Sequence, residues 1–349
     1  MPTLSQRSRS AALRGIRATG GFRSIGDSRW RGRRLLILGY HGVSLDDEHE
    51  WDPSLYISQP RLEAHLLLLR SAGCTVLPLG EALRALGDGT LPPRAVALTF
   101  DDGTHDFHER AFPLLQSFGL PATVYLTTYY CDYEAPVFKP TCKYLLWKGR
   151  DRTVALADIT GSDESFDLRT SGGRMRAFDA VVELADREHC SGADHQRIVE
   201  RLAGALRIDV GSLMARRVLQ IMRPSSVQQI AAAGVDVQLH THRHRAPVDR
   251  GLFMREIDEN RTRIEQLTGK RPMHFCYPSG NYRAEFLTWL EEAQVTSAVT
   301  CDPGLASPTS HPLLLPRFVV SEGSSLLVFE AWLTGAAYWL SRRRTHAYR

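Results

Sequence analysis

Two clusters of side chains carry the residue types that hydrolytic chemistry needs. Asp101 and Asp102 stand side by side before Gly103, at the end of the apolar run AVALTF. His240, His242 and His244 fall within five residues at the end of DVQLHT, in a chain with only 13 histidines. Adjacent carboxylates at a strand end are costly unless a cation engages one and lowers its pKa while the other stays a base. Two neutral imidazoles and one carboxylate make a site suited to zinc or a similar divalent ion, with positions left open to water and substrate. A structural zinc site would ask for four protein ligands, usually thiolates, whereas the six cysteines are scattered with no CxxC pair. The bland alternatives are an ordinary Asp-Asp-Gly turn and a solvated histidine-rich loop. His242, flanked by the two stronger ligand candidates, reads as a supporting or solvent-facing residue.

Such clusters act only if a scaffold brings distant strand ends together. From residue 35 the sequence alternates short apolar or β-branched runs with longer helical patterns, which predicts an α/β protein on parallel strands. The expected strands are 35–41, 95–100, 122–128, 236–241, 274–278, 297–300 and 317–320. Helices are expected over 59–72, 225–233 and 253–268, each followed by a glycine that ends it: Gly73, Gly234 and Gly269. Between about 140 and 222 the rhythm weakens into charged and small residues, read as a largely helical insertion within a single domain spanning 35–345.

Composition sets the remaining bounds. With 349 residues, 43% of them hydrophobic, the chain is globular, and disorder, collagen-like repeats and disulfide-built miniproteins are excluded. Residues 1–34 hold nine arginines and one aspartate, so this arm carries +8 and the other 315 residues sum to −4. The arm is expected to be poorly ordered, with attraction to an anionic membrane surface as the sharper reading. Nucleic acid is not an expected partner, because no aromatic interleaving or base-reading motif follows the arginines. The stretch 325–340 is apolar almost all round, contains Glu330, and is shorter than the roughly 20 residues that span a bilayer. A helix over about 324–341 is expected there, either packed on the body or lying at a lipid interface with Arg342, Arg343 and Arg344 at the headgroups. No signal peptide is apparent, and Arg33 and Arg34 before the first apolar run only mimic an export signal, so the expected location is cytoplasmic or peripheral on the inner membrane.

LTFDDG at 98–103, HTHRH at 240–244 and FCYPSG at 275–280 resemble, in this order, the motifs of the polysaccharide deacetylase family, which includes chitooligosaccharide deacetylases. YHGV (40–43), residues 61–79, 112–128 and LPRFVV (315–320) resemble its framework, so the likeness covers roughly 35–128 and 223–335. The resemblance implies a distorted, incomplete (β/α) barrel of the polysaccharide deacetylase type with a helical insertion. It implies that Asp101 is the general base, that Asp102, His240 and His244 hold a divalent metal ion, zinc first among candidates, and that Thr241 orients the loop. Tyr277, Pro278 and Gly280 are expected to shape a saccharide groove, and Tyr129 and Tyr130 to offer faces for stacking.

Two departures accompany the likeness. The third-motif arginine that pairs with the base in many members is Cys276 here, and Arg317 in LPRFVV is the candidate replacement. The late catalytic histidine is also missing, leaving His311 and His346 after residue 300 and making His41, in an early Tyr-His pair like that of exopolysaccharide-type members, the candidate acid. The implied activity is removal of an acetyl group, most naturally the N-acetyl of an amino sugar, from a saccharide in bacterial envelope or exopolysaccharide biosynthesis. A silent carbohydrate-binding relative, or a hydrolase of another amide or an O-acetyl ester, would carry the same residues.

Overall fold

The structure is a computed structural model that describes residues 4–133, 135–161 and 163–340. Its frame is one parallel sheet of eight strands: β1 (Leu36–Tyr40), β2 (Thr75–Val76), β3 (Ala95–Phe100), β4 (Thr123–Leu126), β5 (Asp236–Leu239), β6 (His274–Cys276), β7 (Ser297–Val299) and β8 (Phe318–Val319). Seven follow the order β7-β6-β5-β4-β3-β1-β8, and β2 pairs the beginning of β3. Each of the seven expected strands is present, β3 at its full expected length and the other six trimmed by one to three residues. Burial explains their continuous apolar character: every residue of β1, β3 and β4 is inaccessible, as parallel strands covered on both faces require.

The sheet curls into a half-barrel, and the chain from Leu315 to Val320 forms its seam. The Leu315 N–H donates to Ala298 at 2.9 Å and its carbonyl accepts from Thr300, while the Val320 N–H donates to Gly39 at 2.8 Å. Leu315 thus holds to β7 while Phe318 and Val319 pair with β1. Arg317 lies midway along this bridging segment, which determines where its side chain can go.

Helix α4 (Gln59–Ser71) buries Leu62, Leu66 and Leu69 against the core, and α5 (Arg250–Thr268) buries Phe253, Ile257 and Ile264. Between β4 and β5 the chain leaves the barrel for a helical region with its own core, built from Tyr144, Leu145, Phe166, Val181 and Leu202 among others.

Two terminal expectations are corrected. Residues 4–32 are not a loose arm but three helices, α1 (Leu4–Ala18), α2 (Gly21–Gly26) and α3 (Arg29–Gly32). Leu13 and Phe22 sink into the main core, and Arg17 pairs with Glu330 at 3.0 Å, so hydrophobic anchoring overrides the solvation that the charge suggests. The C-terminal helix α6 is only Leu326–Thr334, because Gly335 takes a left-handed φ of 87° before one 3₁₀ turn over Ala336–Trp339. Arg342, Arg343 and Arg344 lie outside the described residues.

Candidate active site

Strand ends β1, β3 and β5 open on one mouth, and the side chains that follow them meet there. Asp101 is buried directly after β3. Arg317 Nη1 donates to its Oδ1 at 2.7 Å, Nη2 donates to Oδ2, and His41 Nε2 approaches Oδ2 at 3.4 Å. Arg317 is itself fully buried, with Nε donating to the Thr300 carbonyl at 2.9 Å. Gly39 makes room for it, since a Cβ there would lie 3.1 Å from Nη1. Burial opposes the charge on Asp101, but Arg317 and His41 outweigh it and hold the carboxyl below its usual range. The guanidinium absent from position 276 therefore reaches the same carboxylate from the seam.

Asp102 faces a separate group. Its Oδ1 lies 3.1 Å from His240 Nε2 and 3.2 Å from His244 Nε2. His240 Nδ1 donates to the Cys276 carbonyl at 2.8 Å, which leaves Nε2 of the neutral ring with a lone pair aimed at an oxygen that can only accept. Such facing acceptors require a shared proton or a cation. Burial disfavours charge on His240, but the Asp102 carboxylate overrides it and raises the imidazole above its ordinary pKa. Against the same burial, His244 and His240 together drive Asp102 far below the usual carboxylate range. Desolvation lowers the pKa of His244 against the opposing pull of Asp102.

A second trio, Asp101, His240 and Cys276, also lies within 4.8 Å. It makes a poor cation site. Both Asp101 oxygens are engaged by Arg317, and burial pushes the Cys276 thiol far above its ordinary pKa, so it offers no thiolate. Asp102, His240 and His244 fit a divalent ion of the zinc type as three protein ligands with open positions.

The other predicted residues fall in different places. Thr241 is buried with φ 62°, and its Oγ1 accepts from the Arg245 N–H at 3.0 Å, which closes the ligand loop. His242 turns away to Thr128 Oγ1, 2.8 Å from its Nδ1. Tyr277 does not line a groove: it is wholly buried and its hydroxyl donates to Leu313 at 2.9 Å. Pro278 is buried as well, and Gly280, at φ 69°, is fitted against Cys301, where a Cβ would come within 2.7 Å. His311 is exposed and caps a 3₁₀ turn by accepting from Leu313 N, and His346 lies outside the described residues.

Two residues of α5 were missed by sequence reasoning. Asn260 Oδ1 accepts from the His240 N–H at 3.0 Å, and its amide donates to the Leu126 carbonyl and Thr128 Oγ1, tying the ends of β4 and β5 together. Glu256 accepts from the Arg243 N–H and from the Arg243 and Arg245 guanidiniums. Both are buried four residues apart beside Phe253, Ile257 and Ile264, so polar breaks in an apolar stripe were the available signal.

Comparison with known proteins agrees with this geometry. The profile of the polysaccharide deacetylase family matches residues 88–161 and 196–298, about half of the chain. The chain belongs to the polysaccharide deacetylase family. Among curated relatives, the poly-beta-1,6-N-acetyl-D-glucosamine N-deacetylase of Staphylococcus aureus is 33% identical over 124 residues, which cover 33% of this chain and 43% of that protein. The match thus spans less than half of that relative. Among solved structures, the IcaB protein of Ammonifex degensii superposes with a TM-score of 0.55 at 16% identity, covering 89% of this chain and 99% of that one. The Streptococcus pyogenes deacetylase PplD, solved with acetate, gives 0.55 at 18% identity over 84% and 94%. At such identities the structural likeness speaks to the fold, the incomplete (β/α) barrel of this family.

Proposed function

We propose that this protein is a metal-dependent deacetylase that hydrolyses the N-acetyl groups of an amino-sugar polymer of the exopolysaccharide type. The observation that carries the reading is the division of labour between neighbouring acids: Asp101 is held by Arg317 and His41, apart from the Asp102, His240 and His244 set. The name of the Staphylococcus aureus relative supports an N-acetylglucosamine polymer as the first substrate to test.

Asp102, His240 and His244 would hold the divalent cation, which would supply Lewis acidity toward an acyl oxygen and a nearby water. Asp101, kept ionised by Arg317, accepts the proton of the attacking water. His41 Nε2 stands within 3.4 Å of the same carboxylate and is placed to return a proton to the departing amine. Asn260 and the Cys276 carbonyl fix the backbone and ring of His240. A silent binder would be favoured by the missing third-motif arginine and late histidine; the arrival of Arg317 at Asp101 offsets the first and weighs for turnover.

The test is acetate release from poly-β-1,6-N-acetylglucosamine oligomers and chitooligosaccharides, run beside an O-acetylated saccharide. Asp101→Asn should abolish release while retaining bound metal. A protein that releases no acetate from any of these substrates, with metal bound, would be a binder and the proposal would be wrong.

A further inference from the structure

The opposite end of the barrel carries a surface of different character. β1 and β3 begin at Leu36 and Ala95 and end just before His41 and Asp101. Arg31 Nη2 donates to the Ala95 carbonyl at 3.2 Å and its Nε donates to Leu333 at 3.0 Å, which pins α3 beneath the sheet. Six strand residues separate this floor from the mouth, about 20 Å.

Around α3 the surface is basic and aromatic. Arg29 and Arg33 are exposed four residues apart, Arg23 is 89% exposed on α2, and Arg9 and Arg14 are exposed on α1. Asp27 pairs with Arg94 at 2.7 Å and more loosely with Arg23 at 3.8 Å, and Glu330 pairs with Arg17 at 3.0 Å, so both acids among these arginines are already engaged. The Arg34 guanidinium sits 4.4 Å over the Trp30 ring, and Trp30 packs 5.2 Å from Trp339 and 5.3 Å from Tyr338. Although it touches Trp30 and Tyr338, Trp339 leaves 66% of its surface in water, an unusual exposure for an indole.

We propose that this floor docks the protein on an anionic phospholipid bilayer, with the guanidiniums on headgroup phosphates and Trp339 in the interfacial zone. Clustered arginines alone would suit any polyanion. An exposed indole among them favours lipid, because its apolar body and N–H match the boundary between acyl chains and headgroups. Attachment is peripheral, since no helix among the described residues is long and apolar enough to cross a membrane. The docked orientation turns the mouth away from the bilayer. On the deacetylase reading, the substrate is then a chain extending into solution and not a sugar on the headgroups of the same membrane.

The test is co-sedimentation of the full chain with phosphatidylglycerol/phosphatidylcholine vesicles and with pure phosphatidylcholine, which requires no turnover and so fails or succeeds independently of the enzymatic reading. Binding is expected only with phosphatidylglycerol, weakening as salt is added. Arg29→Ala combined with Arg33→Ala should weaken it about thirtyfold, at roughly tenfold for each 1.4 kcal/mol and about 1 kcal/mol for each arginine. Trp339→Ala should weaken it further and remove the quenching of tryptophan fluorescence by brominated lipid. Hydrogen exchange on vesicles should slow in 8–34 and 336–340 and stay unchanged in 101–106 and 240–246. Equal binding to both vesicles, no binding to either, unchanged affinity in the arginine pair, tighter binding to duplex DNA than to phosphatidylglycerol, or protection at the mouth would each overturn the proposal.

Discussion

Replacing Arg317 with methionine tests the reasoning about Asp101 most directly. The pair is buried on both sides, so removing the guanidinium strands a carboxylate in the core with only the imidazoles of His41 and His240 nearby to offset its charge. Breaking one partner of a buried ion pair costs about 3–5 kcal/mol. If about 3 kcal/mol of that falls on the ionised form, the Asp101 pKa rises by about two units at 1.36 kcal/mol per unit. The sign follows from the native state, where the carboxyl titrates below its usual range. Its contribution to stability is complete above the unfolded pKa of about 3.9 and fades as pH falls through the native value.

Urea unfolding should therefore show the Arg317→Met deficit in full at neutral pH and a smaller one near pH 4.5, where the variant's raised carboxyl protonates. The acid limb of the acetate-release profile should move upward by up to the same two units. Adding Asp101→Asn removes the stranded charge, so the double variant should be more stable than Arg317→Met alone while remaining inactive. A loss below about 1 kcal/mol, additive single effects, or an unmoved acid limb would refute the account.

Other outcomes follow from the same geometry. Asp101→Asn should lower kcat by about 10²–10⁴-fold with little change in metal content, measured by acetate release and elemental analysis. His240→Ala should bring metal content to background, and the stabilisation that zinc gives chelator-stripped wild type, about 2.7 kcal/mol at a hundredfold excess over Kd and read as a rise in Tm, should vanish. Asp106 is buried, accepts from Val43 N and Thr104 Oγ1, and is pushed up to about 7 by that burial. Native protein then holds a proton that the unfolded chain has released, so stability falls as pH rises from about 4 to 7. Asp106→Asn should flatten that slope and raise Tm at pH 8, read by thermal unfolding. Gly103→Ala would place a Cβ 2.2 Å from Leu126 Cδ1 at a φ of 74°, so it should cost at least about 2 kcal/mol and reduce activity in parallel.

The sequence made the strands legible because each is a short apolar run that parallel pairing buries on both faces, and it made the histidine cluster stand out because histidines so rarely cluster. β2 escaped notice since Thr75 and Val76 are only two residues and half-buried. The basic arm misled for a definite reason. Its charges are spaced among Leu13, Ile16, Phe22 and Ile25, which pack on the core and decide the outcome, while Arg9, Arg14, Arg23, Arg29 and Arg33 stay in solvent and Arg31 is buried against backbone carbonyls. Tyr277 misled in the opposite sense, because adjacency to a motif does not say which way a side chain points. Its partner Leu313 comes from a loop 36 residues away. Arg317 was legible as a charge near the last strand, but only closure of the seam shows that both its nitrogens reach Asp101.

Placing two neighbouring acids in one mouth is the harder problem, because successive residues of a strand point to opposite faces. The backbone resolves it at Asp102, which takes a left-handed φ of 67° just past β3. That break in the alternation lets Asp101 turn toward the seam and Asp102 toward the histidines, so the two carboxylates acquire different partners instead of repelling across one site. The same device recurs at Thr241, φ 62°, and His244, φ 54°, where it folds the loop back so that both imidazoles address one oxygen without a helix to align them. Left-handed residues of this kind cost of order 1 kcal/mol or more each, most for β-branched threonine. The Thr241 hydroxyl offsets part of that through Arg245, and Asn260 and Glu256 hold the strand end and loop from behind. Strain concentrated beside the ligands, with buried polar residues of α5 opposing it, is what a preorganised cation site requires and what an ordinary Asp-Asp-Gly turn would have no reason to keep.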